Sequence, residues 1–143
     1  MSQITYHDGY KYQLIQDYTI DLTPYAPSWK TFHIIGEFIM MKDGVLTIMR
    51  GYAWDGPSGP TIDTLNFMRG SLIHDALYQL IREKSIPKDG FRQLADDLLY
   101  RVCLEDGMTK VRALWVYYGV RVGGNVAAVR SKPQYFAPKK ESV

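Results

Sequence analysis

The 143-residue chain has the length of one domain, and its 46% hydrophobic and 22% charged content is ordinary for a soluble globular protein. A net charge of +2 gives no argument for nucleic acid, because the only basic cluster, Lys139-Lys140, reads as a solvated end. One cysteine, Cys103, excludes an internal disulfide framework; set in an apolar helical run, it reads as a packing residue. No apolar run approaches the ~20 residues of a membrane helix. The N-terminus lacks the charged and apolar regions of a signal peptide, so a cytoplasmic location is expected.

In chain order, the first fifty residues read as strands. Tyr10, Tyr12 and Leu14 alternate with Lys11 and Gln13, and Tyr18 and Ile20 alternate with Thr19 and Asp21. The stretch 23–28 holds Pro24 and Pro27 and reads as a loop. Phe32 to Met41 and Val45 to Met49 flank Lys42-Asp43-Gly44, whose Asp-Gly pair predicts a hairpin. Residues 51–60 hold Gly51, Gly56 and Gly59 with Pro57 and Pro60, which excludes regular helix or strand and predicts a shaped loop.

Beyond that loop the period becomes helical. Leu65, Met68, Leu72, Ala76 and Leu80 mark one face of a first helix, capped near Asp63 or Thr64 and ending by Lys84. Phe91, Leu94, Ala95, Leu98 and Val102 mark a second helix, stopped at Glu105-Asp106-Gly107 with Gly107 in the left-handed conformation. A third starts near Thr109 and carries Val111, Leu114, Trp115, Tyr118 and Val122; its Gly119 and Gly123 would let another backbone approach closely. Strands followed by helices predict an α+β fold: an antiparallel sheet of about four to five strands packed against three C-terminal helices. A single domain over 1–130 and an extended tail over 131–143 are expected.

The candidate chemistry gathers on the glycine-proline loop and the first two helices. His74 and Asp75 are helical neighbours diverging by ~100°, so they need not share a task. If the first two helices run antiparallel, Asp96 comes opposite His74 or Asp75, and Asp55 from the loop could complete the cluster. Asp55, His74, Asp75 and Asp96 would suit a divalent metal, while His74, Asp55 and Asp96 would suit a general base oriented by carboxylates. Trp54, Ser58 and Tyr78 are the candidate substrate contacts. The competing reading is structural throughout: His74 and Asp96 in a hydrogen-bond network, Asp55 bonding nearby amides, Trp54 in the core, and Asp97 in a surface ion pair with Arg101. Ser58 lacks the Gly-x-Ser-x-Gly elbow of a serine nucleophile.

These residues resemble a known family. Gly51-Tyr52, Trp54-Asp55, Ser58 and Pro60, then Leu72-Ile73-His74-Asp75 with Leu77-Tyr78, then Ala95-Asp96, are similar to the pattern of the DUF1353 family. These are small proteins of tailed bacteriophages and prophages with no assigned activity. The likeness covers roughly residues 30–125 and extends more weakly to Tyr118, Val120-Arg121 and Gly123. Trp54 stands where a small hydroxyl residue is common, and Gly56-Pro57 replaces a more apolar pair, which weakens any hydroxyl-based mechanism.

The resemblance implies a phage or prophage origin, with Asp55, His74, Asp75 and Asp96 as the shared polar positions. Two functions follow as expectations. One is a small hydrolase, with or without a divalent metal, its site formed by the loop and the His74-Asp75 helix. The other is a non-enzymatic virion, assembly or host-interaction protein whose polar residues form a buried network. Either would act in the host cytoplasm or the virion, with a virion or host protein as partner.

Overall fold

Apolar and polar residues alternate over Tyr18–Asp21, Ile39–Lys42 and Val45–Ile48, and such segments bury one face when they pair side by side. They do so in the computed structural model, which describes residues 6–7, 12–54 and 65–129, with backbone alone for 6–7 and 124–129. The chain divides into two compact units, one built on Met1–Asp55 and one on Gly56–Lys132. Strands occupy the first and helices the second, the α+β segregation expected.

In the strand unit, β3 (Tyr18–Asp21), β4 (His33–Ile35), β5 (Ile39–Lys42) and β6 (Val45–Ile48) form an antiparallel sheet ordered β3-β6-β5-β4. Ile39 faces Ile48 and Met41 faces Leu46 across the β5–β6 ladder, and all four are buried. The hairpin turns on Asp43 and Gly44 with φ of 54° and 81°, the two left-handed residues of a type I′ turn. A smaller sheet, ordered β1-β2-β7, joins β1 (Tyr6–His7), β2 (Tyr12–Leu14) and β7 (Ala53–Trp54). Among the described residues, seven strands in two sheets therefore stand where one sheet of four to five was expected.

Two local differences have plain causes. The segment read as one strand from Phe32 to Met41 breaks at Gly36, whose amide donates to the Ile39 carbonyl at 3.1 Å and folds β4 back onto β5. A Cβ at Gly36 would sit 2.9 Å from that carbonyl oxygen, so the turn requires glycine. The loop read over 23–28 runs at Pro27 into a 3-10 helix, Pro27–Thr31, which seats Trp29 fully in the core.

The helical unit holds α1 (Leu65–Arg82), α2 (Phe91–Glu105) and α3 (Lys110–Val129). Phe67 of α1, Leu99 and Cys103 of α2, Met108, and Ala113 and Val116 of α3 make one buried cluster. Helix α2 ends as expected on Gly107, φ 97°, with Met108 N–H bonding Cys103 C=O and Gly107 N–H bonding Leu104 C=O, a Schellman closure. Arg69 of α1, buried, locks that end with a two-pronged bond to Asp106 (3.0 and 3.1 Å) and a third contact to Glu105 at 2.9 Å. The proposed N-caps Asp63 and Thr64, the 55–60 part of the glycine-proline loop and the 131–143 tail lie outside the described residues.

Candidate functional site

Asp96 lies mid-α2 and is fully buried, at 0% exposure. A buried carboxylate is tolerated only where charge partners and hydrogen bonds replace its lost water. Asp96 receives both from all three helices. On α1, His74 and Tyr78 are four residues apart on one face and both reach Oδ1, His74 through Nε2 at 2.7 Å and the Tyr78 hydroxyl at 2.6 Å. From α3, Arg121 donates to Oδ2 at 2.8 Å; from α2 itself, Arg92 lies 3.5 Å from Oδ2.

The surroundings fix the geometry of these donors. The His74 and Tyr78 rings pack at a centroid distance of 4.1 Å, which holds the imidazole edge toward Asp96. Arg92 also donates to the Val120 and Arg121 carbonyls at 3.4 Å, tying α2 to α3. The neighbouring Asp97 makes a parallel link, accepting from the Tyr117 hydroxyl of α3 at 3.0 Å. Successive carboxylates of α2 thus hold residues four apart on α3.

Electrostatics follow from this arrangement. Burial pushes the Asp96 carboxyl up, but hydrogen bonding and charge from His74, with the bonds from Tyr78 and Arg121, outweigh it and hold it below the usual carboxylate range. Burial and then the Asp96 bond push the Tyr78 phenol far up, so it stays a donor. Burial works against the Arg121 charge, yet its bond to Asp96 raises its pKa. Burial, then repulsion from Asp106, pushes the Cys103 thiol up to about 12, which leaves it inert as a nucleophile and consistent with packing.

The predicted site residues thus separate. His74, Tyr78 and Asp96 come together, with the Tyr78 hydroxyl donating to Asp96. Asp75 is half-exposed and takes no part in the Asp96 bonds, as its divergence from His74 on the helix requires. Trp54 is buried in β7 with its ring 5.6 Å from that of Tyr12. Asp55 and Ser58 lie outside the described residues.

Among the described residues, no three His, Cys, Asp or Glu side chains gather to hold a metal ion. A cation at Asp96 would have to displace Arg121 and face the repulsion of Arg92, so these residues do not fit a divalent metal.

Arg121 is the contributor that residue-level reasoning passed over. Its neighbours in the helix, three and four residues away on either side, include no acid, and it stands between Val120 and Val122. A guanidinium so placed has no counter-charge on its own helix, the one signal, though a weak one, that the sequence held. Among the described residues no helix is long and apolar enough to cross a membrane. Comparison with protein families, with curated proteins and with solved structures returns no match for this chain.

Proposed function

We propose that this chain is a non-enzymatic interaction protein of bacteriophage or prophage origin, in which the Asp96 cluster is a buried scaffold that locks three helices together. It would act in the host cytoplasm or the virion, with a protein as its partner; the phage setting rests on the family resemblance. The observation that carries the reading is the saturation of Asp96. A catalytic carboxylate needs a lone pair or a proton free for substrate, whereas this one is wholly buried with both oxygens engaged by His74, Tyr78 and Arg121.

The sign of a stability change tests it. Active-site groups are kept at a cost to the fold, so removing them leaves stability unchanged or raised. Scaffold groups behave oppositely. In denaturant titrations, Asp96→Ala is expected to lose about 2–4 kcal/mol by removing the counter-charge of the partly buried Arg92 and Arg121 and emptying a buried site, and His74→Ala about 1–3 kcal/mol. Unchanged or increased stability in both variants would overturn the scaffold.

A hydrolase remains the second reading, favoured by one observation. Among the described residues His74 makes its single hydrogen bond through Nε2 to Asp96, the pairing in which a carboxylate orients a base. Metal analysis of chelator-free protein, together with an Asp55→Ala variant, tests the metal-assisted form of this reading. One bound ion per chain that is lost in the variant supports it, and an absence of metal with unaltered phage production removes its metal-assisted form.

A further inference from the structure

Helix α3 presents one face that its own unit does not cover. Val111, Trp115, Tyr118 and Val122 are 80%, 54%, 59% and 84% exposed. Their spacing of four, three and four residues keeps them on one seam of the helix, the interval at which two helices interlock side chains. Gly119 and Gly123 flank that seam, and a Cβ added at either would meet nothing within 4 Å. The seam itself thus carries two aromatic knobs and no charged residue, with two open hollows along one side and Arg112, seven residues before Gly119, on that same side.

We infer that this face of α3 is a self-association surface, and that its occupant is α3 of a second copy of the chain, running antiparallel. The inference rests on the non-enzymatic interaction reading and names the partner. Three observations select the occupant. The seam of Val111, Trp115, Tyr118 and Val122 is uncharged, so it suits an apolar helix face rather than an acidic or basic ligand. It is self-complementary: an antiparallel pair centred between Tyr118 and Gly119 sets each Tyr118 beside the other copy's Gly119. The same register sets each Trp115 beside Val122 and Gly123. A parallel pair would instead stack Trp115 on Trp115 and leave the glycine hollows facing each other, empty.

Area is the third observation. The four residues expose on the order of 500 Å² together, so they supply at most about 1,000 Å² to a two-fold pair, near the lower bound for a specific interface.

The test is sedimentation equilibrium of the full chain over about 1–300 µM, with acrylamide quenching on the same samples. Trp29 and Trp54 are buried, so quenching reports Trp115. The expected result is a monomer–dimer equilibrium in which Trp115 loses quencher access as the mass doubles. Trp115→Glu should raise the dissociation constant on the order of 30-fold or more. Gly119→Leu should do likewise; the added side chain meets open space in the monomer, so its effect is read at the interface. Ile35→Glu, an exposed position of the strand unit, serves as control and should leave association unchanged.

A chain that stays monomeric throughout overturns the proposal, as does a dimer that survives both Trp115→Glu and Gly119→Leu. A monomer with Trp115 already shielded also overturns it, since another part of the same chain would then be the occupant. None of these results touches the Asp96 scaffold, which is read from unfolding of His74→Ala and Asp96→Ala.

Discussion

At the scale of one residue, Asp96 decides how the helical unit responds to acid. Its folded-state pKa is depressed, so the folded chain binds that proton less readily than the unfolded chain does. Stability from Asp96 is therefore fully present above the unfolded value of about 3.9 and is lost as pH falls through the lower folded value. Asp96→Asn keeps the shape but removes the charge that Arg121 and Arg92 face. The variant should be about 2–4 kcal/mol less stable than the parent at neutral pH, with the gap narrowing as pH falls below about 4. Urea unfolding midpoints of both proteins from neutral to acid pH measure this. A gap that stays constant across that range would mean that Asp96 is not the titrating group. His74 and Asp96 were legible as a pair because each is an ionisable residue inside an apolar run. Arg121 was not, because a lone arginine on a helix ordinarily reads as solvated, and its partner is 25 positions away in sequence.

At the scale of elements, the ends of the helices show what local chemistry reveals. Helix α2 closes on Gly107, and a glycine after an apolar period announces its own stop. Helix α1 closes by the same Schellman bonds, Ser85 N–H to Leu80 C=O and Lys84 N–H to Ile81 C=O. Its left-handed residue, however, is Lys84, with φ 66°. A non-glycine residue pays about 1–2 kcal/mol for that conformation, so Lys84→Gly should raise stability by roughly 1 kcal/mol. That corresponds to about 2–4 °C in thermal midpoint, measurable by calorimetry; a lowered midpoint would assign Lys84 a stabilising contact worth more than the strain. The Asp43-Gly44 hairpin was equally legible, since both residues tolerate positive φ. The β4–β5 turn was hidden because Phe32, Ile34, Ile35, Phe38 and Ile39 make an apolar run through which Gly36 passes as an ordinary strand residue. The tight contact of Gly36 with the Ile39 carbonyl is a three-dimensional fact that no periodicity encodes.

At the scale of the whole molecule, the α+β order of strands and helices follows from a change of period, from two to 3.6, that can be read without coordinates. The two-sheet division cannot, because β2 pairs with β7 across some forty residues and only the register of Gln13 with Ala53 reveals it. The charge of α3 carries the remaining consequence. Its basic residues are Lys110, Arg112 and Arg121, and Arg121 is bonded to Asp96. In the antiparallel pair, Arg112 and its copy are about 20 Å apart along the axis, at 1.5 Å per residue. In a parallel pair they would be about 10 Å apart, the spacing of packed helices. Screening acts over about 8 Å at 0.15 M salt and about 30 Å at 0.01 M. The antiparallel dimer should therefore change its dissociation constant by less than about threefold between 0.15 M and 0.5 M salt, and weaken only near 0.01 M. A parallel dimer, with its basic ends held together, would tighten progressively over the whole range. Sedimentation at these three ionic strengths separates the two directions, and a steady tightening with salt would reject the antiparallel one.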